Sequence, residues 1–506
     1  MGRKLRIALA LFFFVGITLL LLDFTGTVHA WLGWMAKVQF LPAVLALHVV
    51  IVAALLLLTW VLGRVYCSVV CPLGVMQDVF ARMGRWRKKN RYAYSPALSW
   101  LRYGMLAVFV ATLLAGVVSF SVLLAPYSAY GRIASSLFAP LWAWGNNLLA
   151  YWAERADSYA FYSTEVWLKG ASTLGVAVLT LGVLGVLAWR NGRTYCNTIC
   201  PVGTVLGLVA RHSLFRPVVD TSKCNGCGLC ARRCKAACID SKNHRIDYSR
   251  CVVCMDCLDA CRQGAIRYER RRKAVPMNIK EEEMRKTAAE KPQTPPADAG
   301  RRSFLTGLGL VAAGAALRGQ EKKVDGGLAV IEDKKIPERA TRIVPPGAKS
   351  LRHFAQHCTA CQLCVSVCPN GVLRPSGALP TLMQPESSYE RGYCRPECVK
   401  CSEVCPAGAI GPITVEEKSA IQIGHAVWIK KNCVPLTDGV ECGNCARHCP
   451  TGAITMVASD PENADSPKIP AINTERCIGC GACENLCPAR PFSAIYVEGH
   501  ERQRVI

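Results

Sequence analysis

The sequence lacks the motifs that identify several common enzyme classes. Its 506 residues contain no nucleophile triad, phosphate-binding loop, dinucleotide-binding fingerprint or zinc-hydrolase motif, so the sequence gives no indication of hydrolytic or nucleotide-dependent catalysis. Histidine is scarce. Only nine are present, and His48 is the one that falls well inside a predicted membrane span. This scarcity argues against a haem held by two histidines.

Acidic residues are also few. The chain has 36 Asp and Glu against 60 Lys and Arg, which gives a formal net charge of +24. Such an excess can indicate nucleic-acid binding. Here much of it flanks apolar segments, where the positive-inside rule for membrane proteins accounts for it. We therefore expect a membrane and no nucleic acid among the partners.

Cysteine, by contrast, is abundant, with 29 residues. Six four-cysteine motifs of iron–sulfur type contain 24 of them, a repeated C-x3-C-P motif contains four more, and Cys238 stands alone. Thiolates that hold iron are not paired with one another. The chain therefore needs no disulfide framework.

Four apolar runs predict an α-helical membrane bundle in residues 1–217. The predicted spans are Leu5–Leu22, Leu41–Leu62, Leu101–Ala125 and Ala171–Trp189. Lysine and arginine are concentrated after the second span, which places both termini of the four-span unit in the cytoplasm. The loop at 126–170 is rich in Trp and Tyr, which is typical of an aromatic belt at the bilayer surface. A quinol pocket beneath this loop is the alternative.

The second and fourth spans end in the same pattern, G-R-x-Y-C-x3-C-P-x-G. Its cysteines are Cys67, Cys71, Cys196 and Cys200. The offset of 129 residues contains two spans, so the halves form a parallel repeat. Cysteines four apart share one face of a helical turn, and soft sulfur ligands suit an iron–sulfur cluster or copper(I). A redox-active thiol pair and simple packing are the other interpretations.

Residues 218–275 contain two C-x2-C-x2-C-x3-C motifs, which strongly indicate a two-cluster ferredoxin domain. In such domains three close cysteines bind one [4Fe–4S] cube, and the fourth binds the neighbouring cube. This rule assigns one cluster to Cys224, Cys227, Cys230 and Cys261. It assigns the other to Cys251, Cys254, Cys257 and Cys234. Cys238 is either a spare buried thiol or an alternative ligand.

These features together resemble a known family. Four spans, two C-x3-C-P turns and a cytoplasmic two-cluster ferredoxin are similar to the NapH-type polyferredoxin subunits of periplasmic nitrate reductase systems, and to the related NosR and CcoG proteins. The resemblance covers about residues 1–275. It implies a role in passing quinol electrons outward, or in maturation of a metal site.

The middle of the chain predicts a second crossing of the membrane. Residues 276–300 are charged and then Pro-rich, as in an extended linker. Residues 301–319 read RRSFLTGLGLVAAGAALRG and resemble an internal twin-arginine export signal. A short buried helix is the alternative, because the apolar run is shorter than a full span. Export would put residues 320–506 in the periplasm, already folded around their clusters.

The exported part contains four further motifs, and the last cysteine of each precedes a proline. They are Cys358, Cys361, Cys364 and Cys368; Cys394, Cys398, Cys401 and Cys405; Cys433, Cys442, Cys445 and Cys449; and Cys477, Cys480, Cys483 and Cys487. Zinc competes for any single C-x2-C pair, but four such endings favour iron–sulfur clusters. The irregular spacing resembles NapG and related four-cluster subunits of molybdenum oxidoreductases. That resemblance implies that the first motif pairs with the fourth and the second with the third.

The sequence thus predicts a membrane bundle of four spans plus one internal twin-arginine-type span, with two α+β ferredoxin-like domains. Six [4Fe–4S] clusters are expected, with a seventh cluster or copper at the C-x3-C-P cysteines, and quinone as a further ligand. The predicted function is electron transfer from the quinol pool to a periplasmic molybdenum reductase or cytochrome, in the bacterial cytoplasmic membrane. The alternative is electron supply for maturation or reactivation of a partner metalloprotein. Whether the chain is an enzyme in its own right stays open.

Overall fold

Apolar runs in the first 217 residues fold into helices, because a helix satisfies its backbone hydrogen bonds internally. The computed structural model describes residues 2–23, 25–87, 92–116, 118–167, 169–271 and 332–506. The predicted linker at 276–300 and the predicted twin-arginine segment at 301–319 lie outside these residues. Described residues up to Arg271 and from Lys335 onward form one compact unit.

The helices of this first part vary widely in length. In chain order they are α1 (Arg3–Leu22), α2 (Thr27–Leu32), α3 (Trp34–Lys37), α4 (Phe40–Leu45), α5 (Val49–Leu62), α6 (Val65–Val69), α7 (Pro72–Arg87), α8 (Ser99–Leu114), α9 (Val118–Leu124), α10 (Pro126–Ile133), α11 (Ala139–Arg155), α12 (Ala171–Asn191), α13 (Thr194–Thr198) and α14 (Pro201–Ala210). A π-helical turn at Ala134–Phe138 joins α10 to α11.

Two of the four predicted spans are single helices, and two are interrupted. Among the described residues, α1 and α12 are long and apolar enough to cross a membrane. The second predicted span breaks at Leu47, where φ is 54°, and leaves α5 with 14 residues. The third breaks after α8 at Gly116, where φ is 76°; glycine in this conformation commonly ends a helix. The prediction of a continuous helix is therefore wrong for these two segments.

Helix α1 contacts a different cysteine-rich region at each end. At its start, the Arg3 guanidinium lies 3.0 Å from a carboxylate oxygen of Asp256 and 2.6 Å from one of Asp259. Just beyond its end, the carbonyl of Thr25 accepts a hydrogen bond from the Lys400 ammonium at 3.0 Å. A helix of 20 residues is about 30 Å long. The two cysteine-rich regions therefore contact opposite ends of this helix.

Three modules in the chain share one plan, in which an antiparallel hairpin separates two cysteine motifs. The hairpins are β2 (Ile239–Asp240) with β3 (Arg245–Ile246), β5 (Leu373–Pro375) with β6 (Pro385–Ser387), and β8 (Ile454–Asp460) with β9 (Asn463–Ile472). We call them the N-terminal module and the first and second C-terminal modules. Two further antiparallel pairs are β1 (Phe215–Val219) with β4 (Ile266–Arg270), and β7 (Ile421–Trp428) with β10 (Ile495–Val505).

Short helices accompany the cysteine motifs of all three modules. They are α15 (Leu229–Arg233), α16 (Asp256–Ala260), α17 (Leu351–His357), α18 (Leu363–Ser366), α19 (Lys400–Glu403), α20 (Val415–Ala420), α21 (Val434–Thr437), α22 (Asn444–Arg447) and α23 (Ala482–Leu486). Four begin after a residue in the left-handed conformation, which lies between the second and third cysteines of its motif: Gly228, Met255, Gln362 and Gly481. This reversal turns the chain so that thiols on both sides of it can face a common centre.

The largest buried apolar cluster joins the helical bundle, the N-terminal module and the first C-terminal module. It contains Met255 of the N-terminal module, Leu73 and Tyr130 of the helical bundle, and Phe354 and Leu363 of the first C-terminal module. Cysteines from all three parts belong to the same cluster. The core therefore runs through the bundle from one cysteine-rich region to the other.

Candidate iron–sulfur sites

The N-terminal module gathers eight thiols into two groups of four. Site N1 is a cavity lined by Cys224, Cys227, Cys230 and Cys261. Site N2 is a cavity lined by Cys251, Cys254, Cys257 and Cys234. In each group the fourth thiol comes from the other motif, as in two-cluster ferredoxins. The structure thus brings the thiols together in the groups that the spacing predicts.

Cys238 is a fifth thiol at site N2. It is 1% exposed and lines the same cavity. Its sulfur lies 3.5 Å from that of Cys234, and its thiol also interacts with Cys251. The hydrogen bond from Cys238 lowers the pKa of Cys234 to about 7, against the opposing effect of burial. Contact with two expected ligands is compatible with both sequence-based interpretations, a spare thiol and an alternative ligand.

The C-x3-C-P cysteines of the two repeats come together inside the bundle. Cys71 interacts electrostatically with Cys196 and Cys67, and Cys200 interacts with all three. All four thiols are buried. We call this group the bundle site. The repeat in the sequence predicted that the two turns would face each other, and the structure brings them together.

Two arginines hold the bundle site together across the repeat. Arg64 donates to the carbonyl of Cys196 at 3.1 Å, and Arg193 donates to the carbonyl of Cys67 at 2.6 Å. Each arginine of the repeated Gly-Arg pair therefore binds the cysteine turn of the other repeat. Gln77, which no motif singles out, donates to the sulfur of Cys196 at 3.3 Å.

The Pro-x-Gly ending of each repeat has a steric explanation. A Cβ atom on Gly74 would overlap the carbonyl oxygen of Cys67, and one on Gly203 would overlap that of Cys196. Only glycine therefore allows the helix after each proline to approach its own cysteine turn.

A buried ion-pair network joins the bundle site to the N-terminal module. The carboxylate of Asp78 lies 2.8 Å from Arg193 and 3.4 Å from Lys235, the residue after Cys234. The backbone of Arg193 also donates to the carbonyl of Lys235 at 2.9 Å. Lys235 replaces the proline that usually follows the fourth cysteine of a ferredoxin motif. At this position it connects site N2 to the bundle.

The C-terminal motifs pair differently from the prediction. Site C1 is a cavity lined by Cys358, Cys361, Cys364 and Cys405. Site C2 contains Cys394, Cys398, Cys401 and Cys368, which interact electrostatically. Site C3 contains Cys477, Cys480, Cys483 and Cys449. Site C4 is a cavity lined by Cys433, Cys442, Cys445 and Cys487.

The first motif therefore pairs with the second and the third with the fourth, so the pairing implied by the NapG resemblance is wrong. The physical reason is the hairpin within each module. The β5–β6 hairpin returns the chain to the first motif, and the β8–β9 hairpin returns it to the third. Sequence spacing alone does not reveal which motifs a hairpin brings together.

Interactions between neighbouring sites arrange the four C-terminal sites in a series. Cys364 of site C1 interacts with Cys401 of site C2. Cys483 of site C3 interacts with Cys445 of site C4. Between sites C2 and C3, the backbone of Cys394 donates to the carbonyl of Cys480 at 2.9 Å. The order is therefore C1, C2, C3, C4.

Tyr389 connects the two C-terminal modules. It is fully buried, interacts with Cys394 and Cys480, and donates from its hydroxyl to the carbonyl of Gly479 at 2.7 Å. Sequence analysis did not identify this residue, because nothing in its neighbourhood marks a single tyrosine as a contact between two motifs.

Helix α10 lies between the bundle site and site C1. On one side, the hydroxyl of Tyr195, the residue before Cys196, donates to the carbonyl of Leu124 just before α10 at 2.7 Å. On the other side, Ser128 donates to the carbonyl of Thr359, the residue after Cys358. Gly131 lies against the backbone of Cys361, where a Cβ atom would overlap the carbonyl oxygen. One short helix therefore separates the two sulfur groups.

The chemistry of the C-terminal thiols fits iron–sulfur clusters. Burial raises the pKa of Cys445 to about 11 and that of Cys480 to about 12, so bound iron would have to displace protons from both. Backbone amides donate to the sulfurs of Cys449 at 3.2 Å and Cys487 at 3.3 Å. Hydrogen bonds to sulfur are one of the means by which proteins tune such clusters.

In the part of the chain that the structure describes, no three His, Cys, Asp or Glu side chains are placed to hold a single metal ion. A cube binds each cysteine at a different iron, so its ligands stand further apart than those of one ion.

Comparison with known families assigns 4Fe–4S binding to three parts of the chain. A model described as a 4Fe-4S binding domain matches residues 45–91 and 173–219, which contain the four bundle-site cysteines. A model described as a 4Fe-4S dicluster domain matches residues 440–490, which contain most of the third motif and all of the fourth. The second match agrees with the observed pairing of these two motifs.

Several curated proteins are similar to the chain. NapH of Haemophilus influenzae, a ferredoxin-type protein, is 29% identical over 237 residues, which cover 45% of this chain and 69% of the relative. MauM of Methylobacillus flagellatus, a methylamine utilization ferredoxin-type protein, is 31% identical over 165 residues, or 32% of this chain and 70% of the relative. NapG of Escherichia coli is 29% identical over 205 residues, or 37% and 81%.

These matches show that the chain belongs to the NapH/NapG-like family of ferredoxin-type proteins. The chain spans 42% of the length of another relative, an uncharacterized protein of Methanocaldococcus jannaschii. No solved structure is significantly similar to it. The family and its 4Fe–4S domains indicate iron–sulfur electron transfer, and the NapH similarity and two apolar helices are consistent with membrane association.

Proposed function

We propose that the chain is a membrane-bound iron–sulfur conduit that passes electrons from the quinol pool to a periplasmic reductase, with a nitrate-reductase-like molybdenum enzyme as the nearest analogy. In this proposal sites N1, N2 and C1–C4 each hold one [4Fe–4S] cluster through the four cysteines named above. The clusters supply one-electron redox chemistry, and the chain spaces, buries and hydrogen-bonds them.

The continuity of the sulfur groups is the observation that carries this proposal. Site N2 contacts the bundle site through Lys235 and Arg193, and α10 lies between the bundle site and site C1. Sites C1 to C4 follow in order. If the bundle site holds a seventh cluster, it provides the intermediate step between cysteine-rich regions at opposite ends of α1. The 4Fe-4S family match to both halves of the bundle site supports a cluster there rather than copper.

Sidedness is part of the same proposal. Positive residues in the loops would keep the N-terminal module in the cytoplasm, and the twin-arginine segment would export the C-terminal modules. The opposite attachment of these regions along α1 supports this arrangement.

A quinol-reduction experiment tests the conduit. The purified full-length protein receives a menaquinol analogue, and EPR follows the clusters in wild type and in a Cys67→Ser/Cys196→Ser variant. We expect the C-terminal clusters of the wild type to be reduced. The variant then shows whether the bundle site lies on the route from quinol. If the analogue leaves every C-terminal cluster oxidised, quinol is not the donor.

A second candidate is electron supply for maturation or reactivation of a partner metalloprotein. The observation that favours it is the exposure of Cys227 at site N1, which a soluble cytoplasmic donor could reach. Electrons would then run from site N1 through the bundle site outward. In that case a low-potential ferredoxin reduces the C-terminal clusters while quinol does not, and loss of the bundle site impairs assembly of the partner rather than its turnover.

A further inference from the structure

A cavity of about 540 Å³ lies where the helical bundle meets the first C-terminal module. Its walls include Leu21 and Leu22 at the end of α1 and Thr173 and Leu174 at the start of α12. These are the two helices long enough to cross a membrane, and the cavity lies at the ends of both that face the C-terminal modules. A ligand dissolved in the bilayer would reach such a position along the helices.

The cavity has the size and lining of a site for a small organic ligand. Ligand sites commonly measure about 300–1,000 Å³ and combine apolar and aromatic walls with a few polar groups. Leucines and Trp142 supply the apolar wall here, while Glu165 and Lys169 supply charge. The Arg391 guanidinium lies over the Trp167 ring, with its carbon 4.6 Å from the ring centre.

The cavity also reaches a cluster site directly. Cys368, the fourth thiol of site C2, is among the residues that line it. Lys169 interacts electrostatically with Cys368 and with Cys364 of site C1. A ligand in the cavity would therefore lie beside site C2 and beside Lys169, which can donate a hydrogen bond to it and also interacts with a thiol of site C1.

We propose that this cavity binds the ring of a membrane quinol and delivers its electrons to the cluster at site C2. This inference rests on the proposed function and assigns its substrate a site. Oxidation of one quinol to quinone releases two electrons and two protons. The electrons would pass singly to an oxidised cluster held by the cysteines of site C2, and each would have to move along the C-terminal series before the next is accepted. The bundle site would link the same series to sites N1 and N2.

The protons leave towards the solvent through Glu165. Its side chain is 74% exposed and lies 3.1 Å from Arg391 at the cavity wall, so it connects the interior with water. The quinol ring oxygens have a donor in Lys169 and an acceptor in Glu165. The cavity at site N1 is smaller, about 280 Å³, and its lining contains neither a glutamate nor a lysine.

Filling the cavity tests the proposal. Ala139 and Ala143 of α11 line it, so Ala139→Phe and Ala143→Phe reduce its volume. Leu148→Phe is the matched control, because Leu148 lies on the same helix and is 59% exposed. The two variants are independent, so one can still be measured if the other fails to fold. Reduction of the clusters by dithionite identifies folded, loaded protein.

Two readouts keep the cavity separate from the conduit. The first is binding of a short-chain quinone to the full-length protein, followed by quenching of tryptophan fluorescence. The second is cluster reduction by the matching quinol, followed by EPR. We expect a filled cavity to weaken quinone binding at least about tenfold, as overpacking of a site does, and to slow quinol reduction, while Leu148→Phe changes neither.

Each outcome decides one claim. Unchanged quinone binding and quinol reduction in a folded filled variant overturn the cavity while leaving the conduit intact. If filling abolishes quinone binding but quinol does not reduce the clusters of the wild type, the binding site stands. The conduit from quinol is then overturned. No saturable quinone binding in the wild type overturns this inference.

Discussion

The bundle site and site C1 each gather four thiols, yet the chain assembles them in different ways. Site C1 forms within one module, where the β5–β6 hairpin brings the fourth cysteine to the other three. The bundle site has no hairpin, and its two cysteine pairs come from repeats 129 residues apart. Buried arginines hold those repeats together.

This difference indicates where each site is vulnerable. A module can keep its thiols in place while the rest of the protein changes, because their supports are local. The bundle site depends on distant segments, so the loss of one buried charge should affect the site and the stability of the bundle together. The predictions below probe this contrast.

Removing two bundle-site cysteines should have the largest effect. We expect about 28 iron atoms per wild-type chain, four for each of seven clusters, and about 24 in Cys67→Ser/Cys196→Ser. Iron and protein analysis of anaerobically purified samples measures this. Cys238→Ser is the control and should retain the wild-type iron content. Equal iron in the double variant and the wild type would rule out a seventh cluster.

Arg193→Met should destabilise the bundle next most strongly. Arg193 is fully buried and pairs with Asp78. Breaking a buried ion pair costs about 3–5 kcal/mol when the partner is left unpaired, and the cost here should be smaller because Asp78 keeps Arg6 and Lys235. Thermal unfolding should therefore begin at a lower temperature, and iron should be lost from the bundle site first. Arg190→Met, at an exposed position of α12, serves as control. Similar unfolding of the two variants would contradict the bridging role of Arg193.

Gly74→Ala should lower the free energy of unfolding by about 1–3 kcal/mol, the usual range for overpacking. The reason is that the added Cβ atom would overlap the carbonyl oxygen of Cys67. Gly104→Ala in α8 meets no atom within 4 Å and should be neutral or stabilising by up to about 1 kcal/mol. Denaturant unfolding of both variants measures the contrast. A neutral Gly74→Ala would mean that the turn tolerates a side chain.

Cys238→Ala should alter the potential of site N2. The Cys238 thiol interacts with Cys234 and Cys251, and removing its hydrogen bond to ligand sulfur disfavours the reduced cluster. One hydrogen bond of about 1 kcal/mol corresponds to about 40 mV for a one-electron couple. An EPR-monitored redox titration should show that the reduction potential of the cluster at site N2 falls by an amount of that order. A loss of iron instead would identify Cys238 as a ligand.

Tyr389→Phe should have the smallest effect. The change removes the hydrogen bond to the carbonyl of Gly479 but keeps the buried ring. We expect the free energy of unfolding to fall by about 0.5–1.5 kcal/mol, as measured by thermal unfolding of the intact protein. The iron content should not change. Loss of cluster signals from sites C2 and C3 would show that the contact between modules also maintains the clusters.

Sequence reasoning was most reliable where chemistry is local. Spacing alone predicted the grouping at sites N1 and N2. Beyond this local rule, the repeated C-x3-C-P motif indicated that Cys67 and Cys196 belong to one site. The pairing of the C-terminal motifs could not be derived, because it depends on which motifs the hairpins bring together. The break at Leu47 also escaped prediction, since an apolar sequence contains no signal for a single left-handed residue. Gln77 and Tyr389 act through tertiary contacts that no motif records.

The central claim is that the bundle site joins the N-terminal clusters to the C-terminal clusters. It is tested most directly in sealed proteoliposomes with an impermeant reductant supplied only on the side of the N-terminal module. EPR then follows the C-terminal clusters in wild type and in Cys67→Ser/Cys196→Ser. We predict that the wild type reduces them, whereas the variant reduces only sites N1 and N2. Equal reduction of sites C1–C4 in both proteins would contradict the account.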